Sequence, residues 1–415
     1  MNEVQRTIVM FCDGRFLRPE NGAQAHTVDT LRFLSTHFSD VVVYAIENHP
    51  THPWRPEDVE LFSSTFPGVA FHMDRSNGFV RGMTRLKNAL ISLFPALAPR
   101  LLRWRVPGVM PKYAEICRRH DDYVCLVHFV DALTILNGFP FEHGVVDTHD
   151  VKFLKYSRLF RRPPFQMRVL GKLRGEAAML DCVKAIVVNS PVDATILQTF
   201  ARNPETYYVP VYSENFHLPE GGEAAAGRSG ERQKFDLLFV GADNRFNVDG
   251  MIGFLASHAE IVRDRRIAIA GAMCANERLQ AAAKPHEKTT LLGFVEDLSP
   301  IYAQSKAVLS PVDGTGLKIK VMQALGHGKP VLASQHAIDG LPRGCENCVF
   351  PLDESWINTI LDDEAIRRRA EAAARAYYST LQRAGDLQLF LEFLRKECGS
   401  GGVAPQTEPS QMVAG

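Results

Sequence analysis

The chain has 415 residues, of which 46% are hydrophobic and 23% charged. This length predicts two or three domains, and the composition supports packed cores and excludes wholesale disorder. Because 47 Lys and Arg residues balance 47 Asp and Glu residues, the formal net charge is zero, which argues against nucleic acid as a partner. No run of 18 apolar residues occurs and the first apolar run is short, so we expect neither a membrane span nor a signal peptide. The eight cysteines do not form a disulfide framework, and we expect a cytoplasmic protein.

The first half of the chain alternates short apolar runs with helical patterns. Continuous runs bounded by turn residues predict buried parallel strands at 8–11, 41–46, 124–129, 144–147 and 185–188. Between the first two, Val28, Leu31 and Leu34 share one face of a crossover helix. Repeated strand–helix units predict a doubly wound parallel sheet, which we assign to an N-terminal domain over residues 1–212.

A change of composition then indicates a linker. Residues 213–234 are rich in Gly, Ala, Glu and Arg and show no periodicity. The α/β alternation restarts in a second domain over residues 235–380, with predicted strands at 237–240, 267–270, 290–292, 307–309, 330–333 and 349–352. Gly385 breaks the helical pattern that follows, so we expect a terminal helix over 381–398 and a disordered tail over 399–415.

The most informative segment runs from residue 310 to residue 334. A strand ends, a turn with Gly314 and Gly316 follows, and a helix closes at Gly328 with an apolar face that includes Leu317, Val321, Ala324 and Leu325. Glycines let a backbone approach a phosphate, and the free N–H groups at a helix start point at it. Lys318 and Lys320 add positive charge in the first turn, which the helix dipole disfavours unless an anion binds. The alternative is an ordinary turn with two solvated lysines.

This segment resembles the signature of the group 1 retaining glycosyltransferases, the large family 4. Its two glycines, its lysines and its Gly-x-Pro-Val match that signature in order. Weaker matches extend the resemblance over residues 7–360: a glycine loop at 21–24, an Asp-x-His element at 147–150, a Val-x-Ser element at 187–190, and a strand–glycine loop followed by Asn-Val-Asp at 238–249.

The resemblance implies the GT-B fold, in which two Rossmann-like domains face each other across a cleft and a C-terminal helix returns to the N-terminal domain. It also implies transfer of a sugar from a nucleotide-sugar donor to a glycan or lipid-linked acceptor, with retention of configuration and without a metal or other cofactor. The residues that it places around the donor are Gly22, Ala23, Gly241, Arg245, Asn247, Gly314, Thr315, Gly316, Leu317, Lys318, Lys320 and Gln323. Arg245 has the alternative of a solvated loop residue.

One departure from the family pattern bears on activity. The family keeps a carboxylate that bonds the nucleotide ribose, and Gln323 stands at that position here. An amide still bonds hydroxyls but gives up the stronger charge-assisted bond. This change keeps a second hypothesis open, a catalytically silent GT-B subunit that binds a nucleotide or glycan. A third hypothesis is a nucleotide-sugar epimerase of the same fold.

The catalytic candidates lie at the end of the predicted strand 144–147. Asp147 and Asp150 flank His149 at a carboxyl edge, where a ligand would meet the sheet, and the resemblance places them near the acceptor or the reacting sugar. The alternative is a capping Asp beside a hydrogen-bonded His. His26, four residues after Gly22, has two interpretations, a site residue or an ordinary helix-face residue.

Basic residues cluster in two segments of the N-terminal half. Residues 81–119 hold nine Lys and Arg with one acid, Glu115, and residues 151–174 hold eight with none. Apolar residues interleave in the first segment, a pattern that fits an anionic lipid-linked acceptor or peripheral binding to the inner face of a membrane. The alternative is a solvated basic face that balances acids elsewhere.

Overall fold

The computed structural model describes residues 7–119, 123–210, 233–314 and 316–396. Apart from residues 233 and 234, the predicted linker lies outside the described residues, and so does the predicted tail. Thr315, a predicted donor residue, is outside them as well.

The first sheet is wholly parallel. Its seven strands within the described residues are β1 (Thr7–Cys12), β2 (Asp40–Ile46), β3 (Ala70–Asp74), β4 (Tyr123–His128), β5 (Gly144–Asp147), β6 (Ala185–Val188) and β7 (Glu205–Tyr208). They lie in the order β3-β2-β1-β4-β5-β6-β7. The central strands β1, β4, β5 and β6 are buried along their whole length, because helices cover both faces of the sheet.

The helices around this sheet are α1 (Gly22–His37), α2 (Pro56–Thr65), α3 (Gly78–Leu93), α4 (Ala98–Arg103), α5 (Pro111–Arg119), α6 (Ala132–Ile135), α7 (Lys152–Leu159), α8 (Met167–Leu180) and α9 (Pro191–Phe200), with short 3₁₀ turns at Pro95–Leu97 and Phe141–His143. Polar residues fix where several of them begin. Asn21, Asn77 and Ser190 accept hydrogen bonds from backbone N–H groups at the starts of α1, α3 and α9.

The second sheet is also parallel. Its strands within the described residues are β8 (Phe235–Val240), β9 (Ile267–Ala270), β10 (Thr289–Gly293), β11 (Ser305–Ser310), β12 (Val331–Ala333) and β13 (Val349–Pro351), in the order β10-β9-β8-β11-β12-β13. The accompanying helices are α10 (Arg245–Ser257), α11 (Ala259–Asp264), α12 (Glu277–Ala283), α13 (Ser299–Ala303), α14 (Ile319–Gly326), α15 (Glu354–Asp362), α16 (Glu364–Arg383) and α17 (Leu387–Lys396), with 3₁₀ turns at Ala272–Ala275 and Gln335–Ala337.

The last helix returns to the first sheet. Phe390 and Leu394 of α17 are fully buried in the core that covers one face of that sheet. The chain arrives there through Gly385, whose absent side chain leaves room for Pro210: a Cβ would lie 2.6 Å from the proline Cδ. The Asp386 carboxylate then accepts a hydrogen bond of 2.9 Å from the backbone N–H of Tyr208 in β7. This short connection secures the C-terminal helix to the N-terminal domain, as predicted.

The strand predictions are confirmed with small shifts at the ends, and two strands were missed. Both missed strands, β3 and β7, are edges of the first sheet. They are partly exposed and lack the continuous apolar run that identifies a central strand. One prediction was wrong at α14: the helix begins at Ile319 with Lys318 as its N-cap, so Leu317 precedes the helix and does not belong to its face.

Candidate functional site

Loops at the carboxyl ends of the two sheets meet across a cleft. A Cβ on Gly22, at the start of α1, would lie 3.0 Å from a side-chain carbon of Ile319, the first residue of α14. A Cβ on Gly316 would lie 2.3 Å from the Oδ1 atom of Asp150, which follows β5. Glycine therefore permits the close approach of the two domains at both places. The predicted first glycine loop and the predicted phosphate loop face each other directly.

The predicted phosphate loop joins β11 to α14. Gly316 has φ = +69°, a conformation that favours glycine, and its carbonyl accepts a hydrogen bond of 2.6 Å from Lys318 Nζ. Lys320 Nζ donates to Asn247 Oδ1 and lies 4.5 Å from the centre of the Phe239 ring. Two ammonium groups therefore gather at one helix start, where free N–H groups and the helix dipole attract an anion.

The two lysines carry less charge than exposed lysines would. Burial lowers the pKa of Lys318 to about 8, a shift that nearby carboxylates partly oppose. Burial lowers the pKa of Lys320 further, to about 7, and the charge of Lys318 adds to the effect. A bound diphosphate would restore both charges, because an opposite charge at this range favours the protonated form.

The other predicted donor residues fall into two groups. Gln323 follows Lys320 by three positions on α14 and therefore lies on the same side of the helix. Asn247, in the first turn of α10, contacts Lys320 directly. Arg245 at the start of the same helix forms an ion pair of 3.2 Å with Asp249 and has a side chain 57% exposed. Asn247 is therefore held at the lysines, whereas Arg245 is occupied on the helix surface.

Two further predicted donor residues occupy tight backbone positions. A Cβ on Gly241 would lie 2.4 Å from the sulfur of Met273, so the loop after β8 approaches its neighbour as only glycine allows. Ala23 lies in the first turn of α1, where its carbonyl accepts a hydrogen bond of 2.9 Å from Thr27. Both residues contribute to the backbone conformation of loops that face the cleft, and neither has a reactive side chain.

Two of the catalytic candidates, Asp147 and His149, lie in one buried cluster with His26 and His128. His26 Nε2 and Asp147 Oδ2 are hydrogen-bonded at 2.8 Å. His128 Nδ1 and His149 Nε2 are hydrogen-bonded at 2.8 Å, and His149 Nε2 lies 3.8 Å from Asp147 Oδ1. His26 is therefore buried against Asp147. His128, at the carboxyl end of β4, was missed because a single His at a strand end carries no pattern.

The cluster contains one buried ion pair and two neutral rings. Burial alone would lower the pKa of His26, but the charge and hydrogen bond of Asp147 outweigh burial and raise it. Burial alone would raise the pKa of Asp147, but the surrounding histidines, His26 foremost, hold it well below its usual range. Burial lowers the pKa of His128 to about 4 and that of His149 well below the usual value. At neutral pH, His149 is therefore an uncharged hydrogen-bonding group.

His149 is held in an unusual conformation. Its φ is +54°, in the left-handed region that non-glycine residues seldom occupy. Its ring stacks on Phe129, with ring centres 4.3 Å apart, and Phe129 has a left-handed φ of +68° as well. Such strain persists only where surrounding contacts enforce it, and it concentrates at functional sites. The neighbouring Asp150 pairs with Lys155 at 2.6 Å and faces Gly316 of the phosphate loop.

Three groups of this cluster could also hold a metal ion. The ligand atoms of His26, Asp147 and His149 lie within 4.8 Å of one another. The His26–Asp147 pair combines a hydrogen bond with opposite charges, whereas Asp147 Oδ1 and His128 Nε2 are buried without a hydrogen-bond partner among the described residues.

Two Rossmann-like domains that meet through loops at the carboxyl ends of their sheets are typical of the GT-B class. Here the meeting loops carry two lysines on one side and a buried His–Asp cluster on the other. Residues 234–362 match the family model of glycosyl transferases group 1. This match confirms the resemblance to group 1 glycosyltransferases in the part of the chain that carries the strongest motifs. None of the curated protein sequences matches the chain significantly.

Solved structures confirm the GT-B fold over almost the whole chain. Sucrose-phosphate synthase from Thermosynechococcus elongatus is 13% identical, with a TM-score of 0.64 over 95% of this chain and 99% of that one. Anabaena HepE in complex with UDP and glucose is 13% identical, with a TM-score of 0.57 over 94% and 100% of the two chains. Staphylococcus aureus TarM, with UDP and alpha-GlcNAc-glycerol bound, is 9% identical, with a TM-score of 0.58 over 95% and 99%. At these identities the likeness concerns the fold.

Proposed function

We propose that the protein transfers a sugar from a nucleotide-sugar donor to a glycan or lipid-linked acceptor, with retention of configuration and without a metal or other cofactor. The observation that carries the proposal is the pair Lys318 and Lys320, gathered at the start of α14 opposite the Gly22 loop. Two like charges at a helix N-terminus oppose each other and the dipole, and a diphosphate relieves both effects. HepE and TarM, which share the fold, were solved with UDP bound.

In this proposal the leaving group is the nucleoside diphosphate. Lys318, Lys320 and the N–H groups at the start of α14 stabilise its developing negative charge. The acceptor hydroxyl attacks from the same face, and the departing phosphate oxygen takes up its proton. His149, neutral and fixed by His128, hydrogen-bonds the reacting sugar or the acceptor, and Gln323 bonds the ribose.

A panel of nucleoside diphosphates and their sugar conjugates tests donor binding. We expect one base to raise the melting temperature without added metal, and Lys318→Ala to abolish the shift. No shift with any member would contradict the donor site. Gln323 favours a second candidate, a silent subunit. That subunit would bind the nucleotide without turning over its sugar conjugate. Nucleotide binding without turnover in the wild type, and still no turnover in Gln323→Glu, would support it.

We also propose that the N-terminal domain binds the inner, cytoplasmic face of a membrane that contains anionic lipid. On α3, Phe79, Leu86 and Leu93 recur every seven residues on one exposed face. Phe165 in the loop before α8 and Met167, the first residue of α8, are 76% and 78% exposed. Residues 78–114 and 151–174 contain 15 Lys and Arg and no acid (seven in the first segment and eight in the second).

The two apolar elements belong to one surface. Gly171 of α8 packs on Ser92 of α3, where a Cβ would lie 3.4 Å from the Ser92 carbonyl oxygen, so the start of α8 lies beside the end of α3. Exposed apolar residues flanked by cations bind shallowly into anionic lipid. Within the described residues, every helix is too short or too polar to cross a bilayer.

Vesicle sedimentation tests this surface. We expect the protein to sediment with vesicles containing anionic lipid at low salt and to remain free with neutral vesicles. The double variant Phe165→Ser with Met167→Ser should lose at least half of the binding. The control Leu389→Ser removes another exposed apolar side chain, from α17, and should bind normally. Equal sedimentation with neutral vesicles, or none with anionic ones, would contradict the proposal.

A further inference from the structure

One arginine of the N-terminal domain connects two loops of the C-terminal domain. Arg158 lies on α7, which begins two residues after Asp150. Its Nη1 donates a hydrogen bond of 2.7 Å to the carbonyl of Gly314, in the phosphate loop. Its Nη2 donates a hydrogen bond of 3.0 Å to Asp339 Oδ2. A single planar guanidinium thus spans the cleft and holds two separate loops at once.

The loops that Arg158 holds are also linked to each other. Asp339 Oδ2 lies 3.2 Å from His336 Nδ1, and His336 Nε2 lies 3.3 Å from Asp313. Asp313 precedes Gly314, so these contacts close a ring of polar groups around the entrance of the phosphate loop. Among the contacts of this ring in the described residues, only those made by Arg158 come from the N-terminal domain.

We propose that Arg158 is a positioning residue that sets the phosphate loop from across the cleft and so couples cleft closure to donor binding. Its two bonds form only when the domains face each other as they do here. A ligand that needs the ordered loop therefore also favours the closed cleft, and the reverse holds by linkage. Arg158 acts on the loop through the Gly314 carbonyl and leaves the phosphate contacts to Lys318 and Lys320. This inference rests on the proposed function for its ligand.

Calorimetric titration with the nucleoside diphosphate selected by the thermal-shift panel tests the coupling. We expect Arg158→Ala to weaken binding about three- to tenfold, the range for losing partly exposed charge-assisted hydrogen bonds. The affinity of Arg158→Lys should lie between that of Arg158→Ala and that of the wild type, because an ammonium can restore one of the two hydrogen bonds. Arg202→Ala, which removes an exposed arginine of the same domain, should bind like the wild type.

A double-variant cycle and hydrogen exchange separate positioning from general damage. Asp339→Asn should cost less in the Arg158→Ala background than in the wild type, because the pair is already broken. Without nucleotide, Arg158→Ala should speed amide exchange in the loop before α14, whereas Arg202→Ala should not. If the wild type binds no nucleotide, the proposed function fails, while the exchange experiment still decides the role of Arg158. Unchanged affinity, or unchanged exchange, in Arg158→Ala would overturn the inference.

Discussion

Donor affinity should fall steeply as the pH rises, because two lysines must gain protons on binding. In the free protein burial lowers the pKa of Lys320 to about 7 and that of Lys318 to about 8. In the complex, the diphosphate returns both values toward about 10.4, the ordinary value for lysine. A group whose pKa rises on binding stabilises the complex below its free-state pKa, and this contribution is lost as the pH rises through that value.

The magnitude follows from the two pKa values. Each lysine weakens binding by the factor 1 + 10^(pH − pKa), the reciprocal of its protonated fraction in the free protein. Between pH 6 and pH 8 the factor for Lys320 grows to about 11 and that for Lys318 to about 2. Their product predicts a dissociation constant about 20-fold larger at pH 8 than at pH 6.

Calorimetric titration across pH 6–8 measures this slope. The ligand should be a nucleotide-sugar, because it lacks the terminal phosphate whose second proton dissociates near pH 6. Lys320→Arg supplies the matched control, since a guanidinium stays charged over the whole range and only the roughly twofold effect of Lys318 remains. A flat profile in the wild type, or a Lys320→Arg profile as steep as the wild type, would refute the assignment of these lysines to the phosphates.

Three further predictions concern the loop and the cluster. Gly316→Ala forces alanine to φ = +69° against Asp150 and should weaken nucleotide binding about tenfold. The control Gly314→Ala should bind almost normally, because its Cβ would make only ordinary contacts, the nearest at 3.4 Å to Lys318; equal titration curves for the two variants would contradict this. Asp147→Asn removes the charge paired with His26 and should lower the free energy of unfolding, measured with urea at pH 6, by about 3 kcal/mol. A decrease below about 1 kcal/mol would contradict the buried ion pair. EDTA should leave the melting temperature and nucleotide affinity unchanged, and a drop in both would assign a metal to His26, Asp147 and His149.

The sequence predicted the central architecture because buried parallel strands have a local signature. Runs such as 185–188 and 267–270 are apolar at every position and bounded by turns, and their observed bounds agree. Strand β3 was not predicted, because this edge strand is half exposed and its composition, with His72 and Asp74, resembles that of a loop. The same difference explains why the core was predictable and the sheet edges were not.

The turn that brings Gly316 and the two lysines to the start of α14 was predictable for a related reason, since these residues lie within five positions of the sequence. The remaining site residues come together only through the fold. His26 and Asp147 are 121 positions apart, and Arg158 and Gly314 are 156 apart. No local pattern reports such pairs, and single residues such as His128 and Arg158 become meaningful only when the strand order brings them to one edge.

Turnover of the donor tests the central proposal most directly. Once the panel has identified the base, release of the nucleoside diphosphate from its sugar conjugates should be measured with the wild type and with Lys320→Ala. We predict release by the wild type without added metal, and a loss of at least about 100-fold in Lys320→Ala, since one buried charge contact to the leaving group is removed. A wild type that binds the nucleotide but releases none from any conjugate, with or without candidate acceptors, would contradict the transferase and leave a nucleotide-binding subunit.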